Sequence, residues 1–152
     1  MIAMEDLSLH ILDIAENSIR AGAEKIVIEI HEDIDADELI VRIEDNGEGM
    51  DAETLKNAAN PFFTTKDGKR FGLGLSLLAQ AAEDAGGAFT IDSQKGRGTR
   101  IKATFVLSHP DTKPMGDIAE TIKTLVVSYP DRRFLFDYRT GDEHHHFDSQ
   151  GE

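Results

Sequence analysis

The sequence predicts an α+β fold, a two-layer α/β sandwich in which helices cover one face of a single mixed sheet. Stretches with helical spacing of apolar residues are interleaved with β-branched runs in the order helix, two strands, two helices, two strands. Regular strand–helix–strand alternation is missing, which speaks against a doubly wound sheet. The third observation is size. A chain of 152 residues, 39% apolar and 30% charged, supports one core and not two generous ones.

Residues 4–21 carry Leu7, Ile11, Ile14, Ala15, Ser18 and Ile19 near helical spacing, and Gly22 supplies a stop. Residues 25–31 and 38–44 read as strands joined by an acidic turn over 31–37. A polar, glycine-punctuated loop follows at 45–50. Asp51 is placed to cap a short helix running to about Asn60, where Pro61 ends it. Residues 62–72 read as a loop. A Leu- and Ala-rich helix over 73–85 closes at Gly86-Gly87, and strands near 88–93 and 99–107 flank Gly96-Arg97-Gly98. His109-Pro110-Asp111 breaks the pattern. Beyond it the sequence predicts a helix over 116–127, a strand over 133–138, a Thr140-Gly141 turn and a weak strand near 144–148. The expected division is a main domain over 1–108 and a small helix-hairpin appendage, 109–152, packed on it.

Twenty-nine acidic residues against sixteen basic ones give a net charge of −13. That balance disfavours a general nucleic-acid binder or a protein that coats anionic membranes. The chain has no cysteine, which excludes disulfides, thiolate metal sites and cysteine nucleophiles. No apolar run approaches the ~18 residues of a membrane span, and the N-terminus does not read as a signal peptide. The expectation is a soluble, cytoplasmic protein. His144-His145-His146 reads as a solvated edge strand, because alternate residues of a strand face opposite sides.

Three clusters look chemical. Asp13 and Asn17 lie four apart and share a helix face, with Arg20 three further on. An acid and an amide there can position a hydrated Mg²⁺ and a water, and the arginine can reach a phosphate; a solvated helix face is the plainer reading. Asp45-Asn46-Gly47-Glu48-Gly49 follows a strand, where glycines admit close ligand approach and a carboxylate can accept from an amino group. The third cluster, from Lys66 through Lys69, Arg70, Gly72 and Gly74 to Ser76, is a basic glycine loop entering a helix. Backbone N–H groups and cations make such a place a phosphate site. Residues 66–70 and 95–102 together hold seven basic residues and one acid, a net +6 that leaves −19 on the rest of the chain. A concentrated positive spot on a negative scaffold suits a small polyanion better than DNA.

Taken together, these clusters resemble the ATP-binding domain shared by sensor histidine kinases, type II topoisomerases, mismatch-repair ATPases and ninety-kilodalton heat-shock chaperones, the GHKL superfamily with its Bergerat fold. The segment from Asp13 through Asn17 and Arg20 looks like the family's asparagine-bearing helix, and Asp45-Asn46-Gly47-Glu48-Gly49 like its D-x-G-x-G loop. Phe62-Phe63-Thr64-Thr65-Lys66 is similar to the kinase-type phenylalanine box, Gly72-Leu73-Gly74-Leu75 to the second glycine motif, and Gly96-Arg97-Gly98-Thr99 to the last. The five stand in family order over about residues 5–107.

The resemblance implies ATP and Mg²⁺ as ligands. It implies that Asn17 ligates Mg²⁺, that Asp45 accepts from the adenine amino group, and that Gly47 and Gly49 let base and sugar lie against backbone. Lys66, Gly72 and Gly74 would belong to the lid over the phosphates, Arg20 would reach a phosphate, and Thr99 would help hold the adenine. Asp13 stands where hydrolysing members place a glutamate; one methylene shorter, it is left as either a weaker base or an orienter of water. Arg20, the phenylalanine box and Gly-Leu-Gly-Leu favour the histidine-kinase branch, whereas Glu-Asn-Ser-Ile-Arg-Ala-Gly-Ala is close to mismatch-repair ATPases. With nine residues before His10, the expectation is a stand-alone catalytic domain without an acceptor domain, phosphorylating a separate protein as anti-sigma kinases do. A nucleotide-switched protein-binding module and a slow mismatch-repair-type ATPase are the alternatives.

Overall fold

In a computed structural model of the chain, residues 6–58 and 73–151 are described. Helix α1 spans Leu7–Arg20, and Asp6 caps it by accepting from the Leu9 N–H at 3.1 Å. Its buried stripe of Leu7, Ile11, Ile14, Ala15 and Ser18 is the helical periodicity read from the sequence. Strands β1 (Lys25–Asp33) and β2 (Glu38–Asp45) pair antiparallel. Asp51 caps α2 (Ala52–Lys56) through the Thr54 N–H at 2.8 Å, as expected. This helix is shorter than expected: it buries none of its residues, and Asn57 caps its C-terminal end.

Helix α3 spans Leu73–Asp84, β3 Phe89–Gln94 and β4 Gly98–Val106. Helix α4, Ile118–Ser128, starts at its cap Asp117, and β5 (Arg133–Thr140) and β6 (Glu143–Asp148) form a hairpin. All six strands join one sheet in the order β3-β4-β2-β1-β5-β6. Neighbours are antiparallel except β1 and β5, which run parallel and make the sheet mixed. The α+β expectation holds. The segment after residue 108 adds two strands to the same sheet, and α4 packs on α1.

Alternation puts Ile26, Ile28, Ile30, Leu39, Val41, Ile43, Ile101, Ala103 and Phe105 on one sheet face, all buried. Helices α1 and α3 supply Leu7, Ile11, Ile14, Leu78 and Ala82 against them. The opposite face carries Glu29, Arg42, Glu44, Arg100 and Lys102, and there Arg100 Nε meets Glu44 Oε2 at 2.8 Å. Such an exposed pair contributes little stability. The hairpin is tied back by Arg133, whose Nη2 and Nε reach Asp148 at 2.6 and 3.2 Å. That guanidinium holds the Asp148 carboxyl below the usual carboxylate range. A depressed carboxyl pKa stabilises the folded chain above its unfolded pKa, and the contribution is lost as pH falls through the folded one.

Phe134 of β5 is fully buried and stands beside Ile26 of β1. Phe134→Ala should therefore cost about 3–5 kcal/mol, as for other large-to-small core changes, read as a lower urea midpoint at unchanged slope. A loss below about 1 kcal/mol would mean that β5 lies outside the cooperative core.

Candidate functional site

The helix-side face of the sheet ends in polar residues where β2, β4 and β3 come level. Asp45, Thr99 and Ser93 are direct neighbours across these strands. Ser93 Oγ lies 2.9 Å from Thr99 Oγ1 and donates to the Gly98 carbonyl at 2.8 Å; both side chains are buried. Asp45 is half-buried and uses both oxygens: Oδ2 accepts from Ser18 Oγ at 2.6 Å and Oδ1 from the Gly47 N–H at 2.8 Å. The carboxylate is thus oriented by α1 on one side and by its own loop on the other.

That loop is stapled on several sides. Asn46 Oδ1 accepts from the N–H groups of Glu24 and Lys25 at 2.9 and 3.0 Å. The Glu48 N–H donates to the Ala21 carbonyl, and the Glu48 carbonyl accepts from Gly96. The Met50 N–H donates to Ser93 Oγ. Gly49 (φ 72°) and Gly98 (φ 83°) sit where the loop meets β3 and β4. A Cβ on Gly49 would lie 2.0 Å from the Gln94 carbonyl oxygen, and one on Gly98 would lie 2.0 Å from that of Asp45. Backbone contact between loop and strands alone requires these two glycines, before any ligand is considered.

Helix α1 contributes Asp13 and Asn17, both half-buried, and exposed Arg20. Arg20 Nη2 donates to Asn17 Oδ1, while Asn17 Nδ2 is buried without a hydrogen-bond partner among the described residues. Asp13 Oδ2 accepts from the Gly74 N–H at 2.6 Å, so this carboxylate sits at the N-terminal end of α3 and favours it electrostatically. A Cβ on Gly74 would lie 2.7 Å from the same oxygen, so glycine lets the two helices approach. Tyr129, just past α4, donates to Glu16 Oε2 at 3.1 Å, and that bond pushes its own pKa up. The C-terminal segment therefore touches the helix that carries Asn17.

The donor set fits Mg²⁺ held mainly by a phosphate ligand. Among the described residues no group of three or more histidines and carboxylates could hold a metal. One amide oxygen with a nearby carboxylate is the sparse oxygen set that Mg²⁺ accepts when phosphates and waters complete its shell.

The structure brings together Asp13, Asn17, Arg20 and Gly74 at α1–α3, and Asp45, Gly47, Gly49 and Thr99 at the sheet end, with Ser18 linking the groups. Lys66, Gly72 and the 62–66 box lie outside the described residues. Of the second basic stretch, Arg100 and Lys102 stand on the open sheet face, away from Asp45 and Thr99. Sequence reasoning missed Ser18 and Ser93 as partners of the site. Ser18 is 27 residues from Asp45 and Ser93 is identified only by strand register, so the one available signal was adjacency to Asn17.

The sequence model of the family described as "Histidine kinase-, DNA gyrase B-, and HSP90-like ATPase" matches residues 4–109. The chain belongs to this family. Its relatives place it with the histidine-kinase type. A putative sensor protein of Shewanella frigidimarina is 35% identical over 111 residues, covering 70% of this chain and 17% of that protein. The sensor protein kinase FleS of Pseudomonas aeruginosa is 36% identical, covering 72% and 27%. The chain thus spans well under a third of these curated relatives. In fold it is similar to the Aquifex aeolicus MutL ATPase domain complexed with ADP, at a TM-score of 0.57 and 14% identity over 92% of this chain and 62% of that one. Among the described residues no helix is long and apolar enough to cross a membrane.

Proposed function

We propose that this ATPase-family domain binds Mg²⁺-ATP between α1, α3 and the polar end of the sheet and transfers the γ-phosphate to a separate protein. The observation that carries this reading is the Asp45 carboxylate, held between Ser18 and Gly47 beside the buried Ser93–Thr99 pair. A fixed acceptor of this kind suits the amino edge of adenine. Gly47, Gly49 and Thr99 would line the base; Asn17 would hold Mg²⁺, which neutralises phosphate charge when bound. Arg20, Lys66, Gly72 and Gly74 would face the phosphates, where cations and backbone N–H groups stabilise developing charge. His10 is 2% exposed within α1, which supports an acceptor outside this domain. Residues 1–108 are taken as the nucleotide-binding unit and 109–152 as its extension.

Asp13 is best read as a positioning group for α3. Asp13→Asn keeps an oxygen for the Gly74 N–H and should leave nucleotide affinity within about threefold of wild type. Asp13→Ala orphans that N–H and should lower stability by about 1–3 kcal/mol. Paired titrations and denaturant melts check both. The kinase reading is tested with γ-labelled ATP and protein fractions from the source cell. Label transfer that requires Asn17 supports it, and steady phosphate release with no labelled protein favours the slow ATPase.

A second reading is favoured by the Tyr129–Glu16 bond: a nucleotide-switched module in which 109–152 docks a partner. Tyr129→Phe should then change partner capture while leaving ATP binding intact. Equal capture with and without nucleotide would sink this reading.

A further inference from the structure

Among the described residues, β6 pairs only with β5 and forms one edge of the sheet. Exposed edges are usually blunted by charged side chains, lysine above all, by proline or by a bulge. The run Glu-His-His-His-Phe-Asp carries acids only at its two ends, has no lysine or proline, and its register with β5 is unbroken. The Ser149 N–H donates to the Phe134 carbonyl at 2.9 Å, continuing the ladder in which 143, 145 and 147 bond β5. Antiparallel pairing alternates, so the backbone groups of His144, His146 and Asp148 point away from β5, toward the free edge.

We propose that β6 is a self-pairing edge: two copies of the chain join antiparallel through it about a two-fold axis at His146. Only an axis through a residue, and not between two, sets outward-pointing backbone groups against one another. The axis at His146 places His144, whose Nε2 lies 2.8 Å from Asp137 Oδ1, opposite the Arg133-bound Asp148 of the second copy twice, joining the two intrachain pairs into one polar row on the open face. An axis at His145 would instead oppose His144 and His146, and one at Phe147 would pair only three residues of β6. On the helix side, β5, β6 and α4 leave an apolar groove of about 740 Å³ lined by Ile122, Val126, Val127, Phe136, Tyr138 and Phe147. Val127 is 70% and Phe147 42% exposed. In the proposed register His145 of the second copy lies beside Phe147 and extends this face across the axis. The charge of −13 on each copy opposes association at low salt, so the pairing belongs to physiological ionic strength.

The chain has no cysteine, so single-cysteine variants report the register directly. In a hydrogen-bonded antiparallel pair the facing Cα atoms are about 5.5 Å apart, within disulfide range. His146→Cys should cross-link at least about tenfold faster than His144→Cys, whose counterpart lies four residues away along the strand. Sedimentation equilibrium of the wild type should show a dimer. His146→Pro should give a folded monomer whose melting temperature no longer rises with protein concentration, because the N–H it removes is not used by β5. Equal cross-linking rates, or a dimer that His146→Pro leaves intact, would overturn the proposal. So would a wild-type monomer at about 100 μM, which would leave the edge to a strand of a different protein.

Discussion

Mg²⁺-ATP should raise the melting temperature of the wild-type protein by about 5–10 °C, and Asp45→Asn should remove that shift. At about a hundredfold excess over Kd, a ligand that binds only the native state adds roughly 2.7 kcal/mol. For a chain of this length each kcal/mol is worth about 2–4 °C. Asp45 presents a carboxylate whose oxygens already take a hydroxyl and an N–H at 2.6 and 2.8 Å. An asparagine supplies only one acceptor oxygen, and its NH₂ would meet either the Gly47 N–H or the adenine amino group, donor against donor. The unliganded variant should also melt a few degrees lower, because charge-assisted bonds to a carboxylate contribute about 1.5–3 kcal/mol. Ser18→Ala is the control. It removes one orienting bond and keeps the carboxylate, so most of the shift should survive. GTP should give no shift, since guanine presents a carbonyl where adenine presents its amino group. A full ATP response in Asp45→Asn would show that the base lies elsewhere.

Gly98→Ala should be, with Gly49→Ala, among the most damaging single changes near the site, costing about 3 kcal/mol or more. The added methyl would stand 2.0 Å from the Asp45 carbonyl oxygen and 3.1 Å from the Asn46 Cα, both main-chain atoms that can yield only by moving the end of β2. The backbone there has φ 83°, a region disfavoured for alanine. Gly96→Ala separates the two causes. It has the same φ of 83° with nothing within 4 Å, so it carries strain without collision and should cost about 1–2 kcal/mol. Urea midpoints of the two variants measure the difference. The nucleotide response should fall with Gly98→Ala, because displacing β2 moves Asp45, and persist with Gly96→Ala. Equal losses would mean that backbone conformation, and not the contact between loop and strand, governs this position.

Much of the architecture is readable from local pattern. The buried stripe of α1, the alternation in β1 and β2, and the Asp51 cap each depend on side chains within a few residues of one another. The five family motifs are local strings too, which is why they stand out without a structure. Boundaries were less secure where burial was absent, as in α2, which ends at Lys56. The place of residues 133–148 was not readable, because joining β1 to β5 in parallel pairs positions more than a hundred residues apart.

The same division runs through the site. The sequence by itself determined which groups could serve a nucleotide: an amide and an acid one helical turn apart, a carboxylate after a strand, and glycines at each loop. Only the tertiary structure decided how those groups are engaged. Strand register sets Thr99 and Ser93 beside Asp45, the approach of α3 puts the Gly74 N–H on Asp13, and loop packing makes Gly49 and Gly98 obligatory. The physical reason is range. Periodicity and capping act over one or two turns, whereas a hydrogen bond from Ser18 to Asp45 or from Gly74 to Asp13 exists only after the core has brought distant segments within 3 Å.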